Sequence, residues 1–124
     1  MKEDRTEFGV VRIHKDVIKS IALLAVSEIE GVSAAGNNFK SSLFGLMGKK
    51  YYPGIDVLID KNNDIKVEVK IIVKYGFNIP EVASRVQDNV RLALEKMSEL
   101  SLREINVNVQ GVERSNEATT YGIK

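Results

Sequence analysis

Cysteine is missing from all 124 positions of this chain. Disulfides, thiolate metal centres and cysteine nucleophiles go with it, and the composition fits a reducing compartment. Histidine occurs once, at His14, so one chain cannot assemble a multi-histidine metal site. An excess of charge is missing too. Lys and Arg number 18 against 17 for Asp and Glu, a formal net charge of +1, which provides no overall field for a polyanion and argues against general nucleic-acid binding. No run approaches the roughly 20 apolar residues that cross a bilayer. The charged start, Met1 to Glu7, lacks the apolar stretch of a signal peptide. The expectation is a soluble, cytoplasmic protein that reaches a membrane only as a peripheral component, through a surface or a partner.

What is present is secondary-structure periodicity. Ile65, Val67, Val69, Ile71, Val73 and Tyr75 alternate with mostly charged residues, the pattern of a half-buried strand. From Asn78 to about Leu100 the apolar residues Ile79, Val82, Ala83, Val86, Val90, Ala93, Leu94 and Met97 follow the spacing of a helix with one buried face. Asn78 and Glu81 have capping-box spacing, and Pro80 suits a first helical turn. Leu102 to Val112 alternates again, with Ile105, Val107 and Val109 facing one way and Asn106, Asn108 and Gln110 the other.

Upstream, Phe8 to Ile13 reads as a first strand and a helix begins near His14, carrying Val17, Ile18, Ile21, Ala22, Leu24, Ala25 and Ile29. Gly31 is placed to end it in a left-handed conformation. Residues 32–53 hold Gly36, Asn37, Asn38, Gly45, Gly48 and Pro53, which interrupt regular structure. Ile55 to Asp60 is a second strand, joined to the long one by the turn residues Lys61-Asn62-Asn63. The order is strand, helix, strand, strand, helix, strand. It predicts an α+β fold, a two-layer βαββαβ sandwich of the split βαβ type, in which a four-stranded sheet carries two helices on one face. One domain over residues 8–112 and a polar, disordered tail over 113–124 are expected.

Chemistry-bearing patterns are few. Asp60 to Asp64 begins like a calcium loop, but Ile65 stands where glycine is needed and Ile71 where glutamate is needed. Gly45 to Lys50 falls short of a phosphate loop, because Leu43 occupies the first glycine position and Lys50 the Ser/Thr position. Gly45-Leu46-Met47-Gly48 followed by Lys49 and Lys50 matches the GXXG loop of KH nucleic-acid modules, although a strand follows where such modules have a helix. His14 has no nucleophile or carboxylate assigned to it by spacing. No catalytic, metal or cofactor-binding residues are expected. Leu43, Phe44, Leu46, Met47, Tyr51 and Ile72 are large side chains outside the core pattern, and they are the candidate partner-binding residues.

Five short signatures run through the chain: Gly9-x-Val11-x-Ile13, Glu28-Ile29-x-Gly31-Val32, Tyr75-Gly76-x-Asn78-Ile79-Pro80-x-Val82, Val86-Gln87-x-Asn89-Val90 and Val107-x-Val109-x-Gly111-Val112. On these the chain resembles the alkaline shock protein family, the envelope stress response proteins of Gram-positive bacteria. The resemblance implies a small cytoplasmic protein without enzymatic activity, held near the membrane by a separate anchor protein and supporting cell-envelope homeostasis. Self-association is a further expectation. Two alternatives stand beside it, an accessory regulator of fatty-acid synthesis, as some members resemble, and a KH-like nucleic-acid module using Lys49 and Lys50.

Overall fold

The computed structural model describes residues 2–33, 52–98 and 102–114. Along the chain run β1 (Lys2–Thr6), β2 (Gly9–Ile13), α1 (Lys15–Ser27), β3 (Gly54–Ile59), β4 (Ile65–Lys74), α2 (Ile79–Ser98) and β5 (Leu102–Glu113). Strands β3, β4 and β5 form one sheet in that order, β4 lying antiparallel to β3 and parallel to β5. Both helices pack on each other, α1 also on β3 and α2 on β5, so they cover one face of the sheet. The expected α+β class and two-helix layer are present.

A single four-stranded sheet is not. Strand β2 pairs with β1 in a separate two-stranded antiparallel ribbon, and β4 and β5 are direct neighbours, so the βαβ unit is not split. Pairing across the two-residue turn Glu7–Phe8 closes almost no loop, whereas reaching a central sheet position closes a long one. The local partner wins. Strand β1 lies ahead of the expected domain start at residue 8, in a charged stretch with no alternation to announce it.

Strand β4 is the centre of the core. Its residues Val67, Val69, Ile71 and Val73 are fully buried, and Ile18, Ala22 and Val26 of α1 and Val86, Val90 and Leu94 of α2 pack against them. In α2 the buried row is Val82, Val86, Val90, Leu94 and Ser98, a strict four-residue step. Ile79 and Met97, expected on that face, are exposed. Strand β5 keeps its apolar side chains inward by two one-residue register shifts. Leu102 pairs with Ile65 but Glu104 with Lys66, and Val109 pairs with Ile71 but Gly111 with Ile72. Arg103 and Gln110 are thus the extra residues of two bulges.

The helix ends are made locally. His14 precedes α1 in extended conformation and gives no side-chain cap, while Asn78 Oδ1 accepts the Glu81 amide at 3.0 Å. Only half of the expected capping box forms, because the Glu81 carboxylate takes the Arg85 guanidinium at 2.7 Å instead. In the β3–β4 turn Asp60 Oδ1 accepts the amides of Asn62 and Asp64 and Asn63 adopts φ 66°. That carboxylate serves the turn, and no group of acids or histidine that could hold a metal ion occurs among the described residues.

Candidate functional site

The signature residues divide into those the fold uses and those it displays. Gln87 donates to the Ile105 carbonyl at 2.9 Å and ties α2 to β5. Asn89 donates to the Ala25 carbonyl at 2.7 Å and to Glu28 at 3.1 Å, closing the last turn of α1 against α2. Gly31 has φ 101°, and a Cβ there would lie 2.9 Å from Val82 Cγ2 and 3.0 Å from Phe77 Cδ2. Only glycine fits that approach. These residues are structural.

Around Gly31 three stretches of chain meet at one end of the sheet. Residues 31–33 lie beside β4 where β3 has not yet begun: the Lys74 amide donates to the Gly31 carbonyl at 2.7 Å and the Ser33 amide to the Ile72 carbonyl at 2.8 Å. On the other side of β4 the Tyr75 amide donates to the Glu113 carbonyl at 2.7 Å. The buried Ser33 hydroxyl donates to the Glu113 carboxylate, so the two flanks of β4 are joined by side chains as well. The turn that follows, Tyr75-Gly76-Phe77-Asn78, is therefore held at both ends, by this junction and by the Asn78 cap.

What this rigid turn shows to solvent is apolar. Tyr75 is 70% exposed, Phe77 38% and Ile79 38%, and the Arg114 guanidinium lies over the Tyr75 ring, 6.0 Å from its centroid. The strand pattern predicts Tyr75 in the buried row. In fact β4 ends at Lys74, and glycine at Gly76, φ 102°, turns the chain before Tyr75 can point inward. The signal available in the sequence was Gly76 itself, directly after an aromatic. Aromatic side chains and arginine held in a fixed geometry are what protein interfaces enrich at their centres.

Of the partner-binding residues expected from the sequence, Leu43, Phe44, Leu46, Met47 and Tyr51 lie outside the described residues, as do the GXXG loop, Lys49 and Lys50. Ile72 is the one of them that is described. At 2% exposure it is buried, on the sheet face opposite Ile71 and Val73 and outside the core cluster to which they belong. His14 is exposed and stands at the entry to α1.

The outer sheet face is mostly polar, with Leu58 exposed on it opposite Lys66. Glu68 accepts from Asn106 Nδ2 at 2.7 Å and Asn108 Nδ2 at 3.2 Å, with Lys66 Nζ at 3.8 Å. The Asn106 hydrogen bond, ahead of the opposing effect of burial, holds its carboxyl below the ordinary glutamate value. Asn106 and Asn108, possible ligand groups on sequence grounds, are engaged with this carboxylate.

Comparison with known proteins agrees with the signatures. A family model described as the alkaline shock protein 23 family, with a cell envelope-related function, matches residues 3–114. Two uncharacterized proteins of Bacillus subtilis are similar along nearly the whole chain. YqhY is 36% identical over 119 residues, 95% of this chain and 87% of that protein, and YloU is 32% identical over 117 residues, 92% and 97% respectively. Among solved structures, the zinc form of a variant of the MamM C-terminal domain superposes with a TM-score of 0.53 at 12% identity, over 86% of this chain and 94% of that one. That last likeness is one of fold.

Proposed function

This chain belongs to the alkaline shock protein 23 family, whose function is cell envelope-related, and from that premise we propose that it is a non-enzymatic interaction protein. In this reading it resides in the cytoplasm, is brought to the periphery of the membrane by a protein partner such as an anchor, and supports envelope homeostasis under stress. The observation that carries it is the turn from Tyr75 to Ile79. Its aromatic and apolar side chains are solvent-exposed, yet the backbone beneath them is fixed by the Gly31, Glu113 and Asn78 hydrogen bonds. Such pre-organised side chains lose little freedom on binding, which favours affinity. Arg114 beside Tyr75 adds a cation that a partner's carboxylate can meet.

The test is affinity capture from membrane and cytoplasmic fractions of the source cell. Wild-type chain is compared with a Tyr75→Ser/Phe77→Ser double variant, and with Phe44→Asp for the loop expected from the sequence. The expected outcome is loss of the captured partner with the double variant while its far-UV circular dichroism is unchanged. Equal capture by a folded double variant would remove the turn as the contact surface.

A further inference from the structure

We propose that two copies of this chain pair about a two-fold axis through the solvent side of the helix layer, over the seam between α1 and α2. Contacts within the chain fix that seam. Asn89 of α2 donates to the Ala25 carbonyl at 2.7 Å and to Glu28 Oε1 at 3.1 Å, and a Cβ on Gly31 would meet Val82. Numbering thus rises along one helix as it falls along the other, and the two are antiparallel.

Beside the core-facing row of α1 runs a second row, Val17, Ile21, Leu24 and the C-cap Glu28, a single helical stripe by its spacing. Val17 is 46% exposed and Leu24 53%, with Ile21 partly buried. In α2 the corresponding row is Asn89, Leu92 and Lys96. Asn89 touches Glu28, so both rows border the same seam. Leu92, one turn past Asn89, is level with Leu24 and is 54% exposed. Lys96, two turns past it, is level with the first half of α1 and is exposed. Large apolar side chains clustered this way and half open to water mark a contact surface.

Charge names the occupant. On the flank of this surface Arg91 pairs with Asp88 and Glu95, and Arg85 pairs with Glu81. No ion pair among the described residues uses Glu28 or Lys96. The seam therefore carries an acid at one end, a base at the other and leucine between. Turned about a two-fold axis through its midpoint, it sets Glu28 of each copy against Lys96 of the other and brings the leucines together in the middle. That is the self-complementary contact a closed dimer requires. Stacked in parallel, the same surface would set like charges together, which is unfavourable. The pairing does not involve the Tyr75 turn, so either can fail without the other.

Light scattering is expected to show wild type as a dimer of twice the 13.8 kDa chain mass and Leu24→Asp as a monomer with unchanged circular dichroism. Leu92→Ser, a milder change, is expected to weaken the dimer and serves where the first variant does not fold. Charge reversal reads the arrangement. Glu28→Lys and Lys96→Glu each place two like pairs in the dimer and are expected to weaken it about tenfold. An equimolar mixture of the two is expected to form a mixed dimer tighter than either variant alone, because opposite charges then face each other at both ends. A monomeric wild type would overturn the proposal, whether the face then captures a different protein or none. So would a dimer that both Leu24→Asp and Leu92→Ser leave intact, or a mixture no tighter than the single variants.

Discussion

A polar side chain can serve the fold by answering a particular backbone or carboxylate group, and this chain has several such residues, half-buried at Asn89 and exposed at Gln87 and Asn78. Asn89 closes α1, Gln87 closes an edge carbonyl, and Asn78 caps α2. In each case the residue type was legible in the sequence and only Asn78's role was, because capping has a fixed local spacing while the other two bonds join residues 18 and 64 positions apart.

Glu68 gives the prediction at this scale. Its folded pKa is lowered, so the stability it contributes is complete above the unfolded value, about 4.3, and is lost as pH falls through the folded value below it. Thermal melts of wild type and Glu68→Gln are expected to differ, wild type being higher, by a constant amount from about pH 7 to pH 5 and to converge as pH falls through the lowered folded value. A gap that persists unchanged in acid would show that the network does not depend on the carboxylate's charge.

Among the elements β5 is the most informative. Its apolar residues change parity twice: Leu102 is out of step with Ile105, Val107 and Val109, and so is Val112. Simple alternation overlooks this, since it reads the middle of the strand and ignores its ends. The two bulges absorb the mismatch, placing Leu102 opposite Ile65 and Val112 opposite Val73. Deleting Gln110 would remove the second bulge with every apolar residue still inward, whereas deleting Asn108 would drive part of the apolar row out to the wrong face. Denaturant titration is expected to find the Gln110 deletion folded and cooperative and the Asn108 deletion strongly destabilised or unfolded. Helix α2, by contrast, was readable almost to the residue, because twenty positions of one period average out its exceptions at Ile79 and Met97.

At the scale of the whole molecule the layer arrangement followed from two amphipathic helices needing one apolar surface to share. What did not follow was the partner of β2. Periodicity tells which side of a strand is buried but is silent on its neighbour, and a charged strand such as β1 gives no period at all. The ribbon's independence has a measurable outcome. Removing residues 2–12 is expected to preserve the circular dichroism of the body. Loss of cooperative thermal unfolding in the truncated chain would show instead that the ribbon is part of the body.

Gly31 and Phe77 touch with no atom to spare. The Gly31 carbonyl is tied to β4 through the Lys74 amide, and Phe77 faces the solvent a partner would occupy. Any side chain at Gly31 would therefore displace the Phe77 ring, so the absence of a Cβ at one residue sets where the ring of the docking turn can stand.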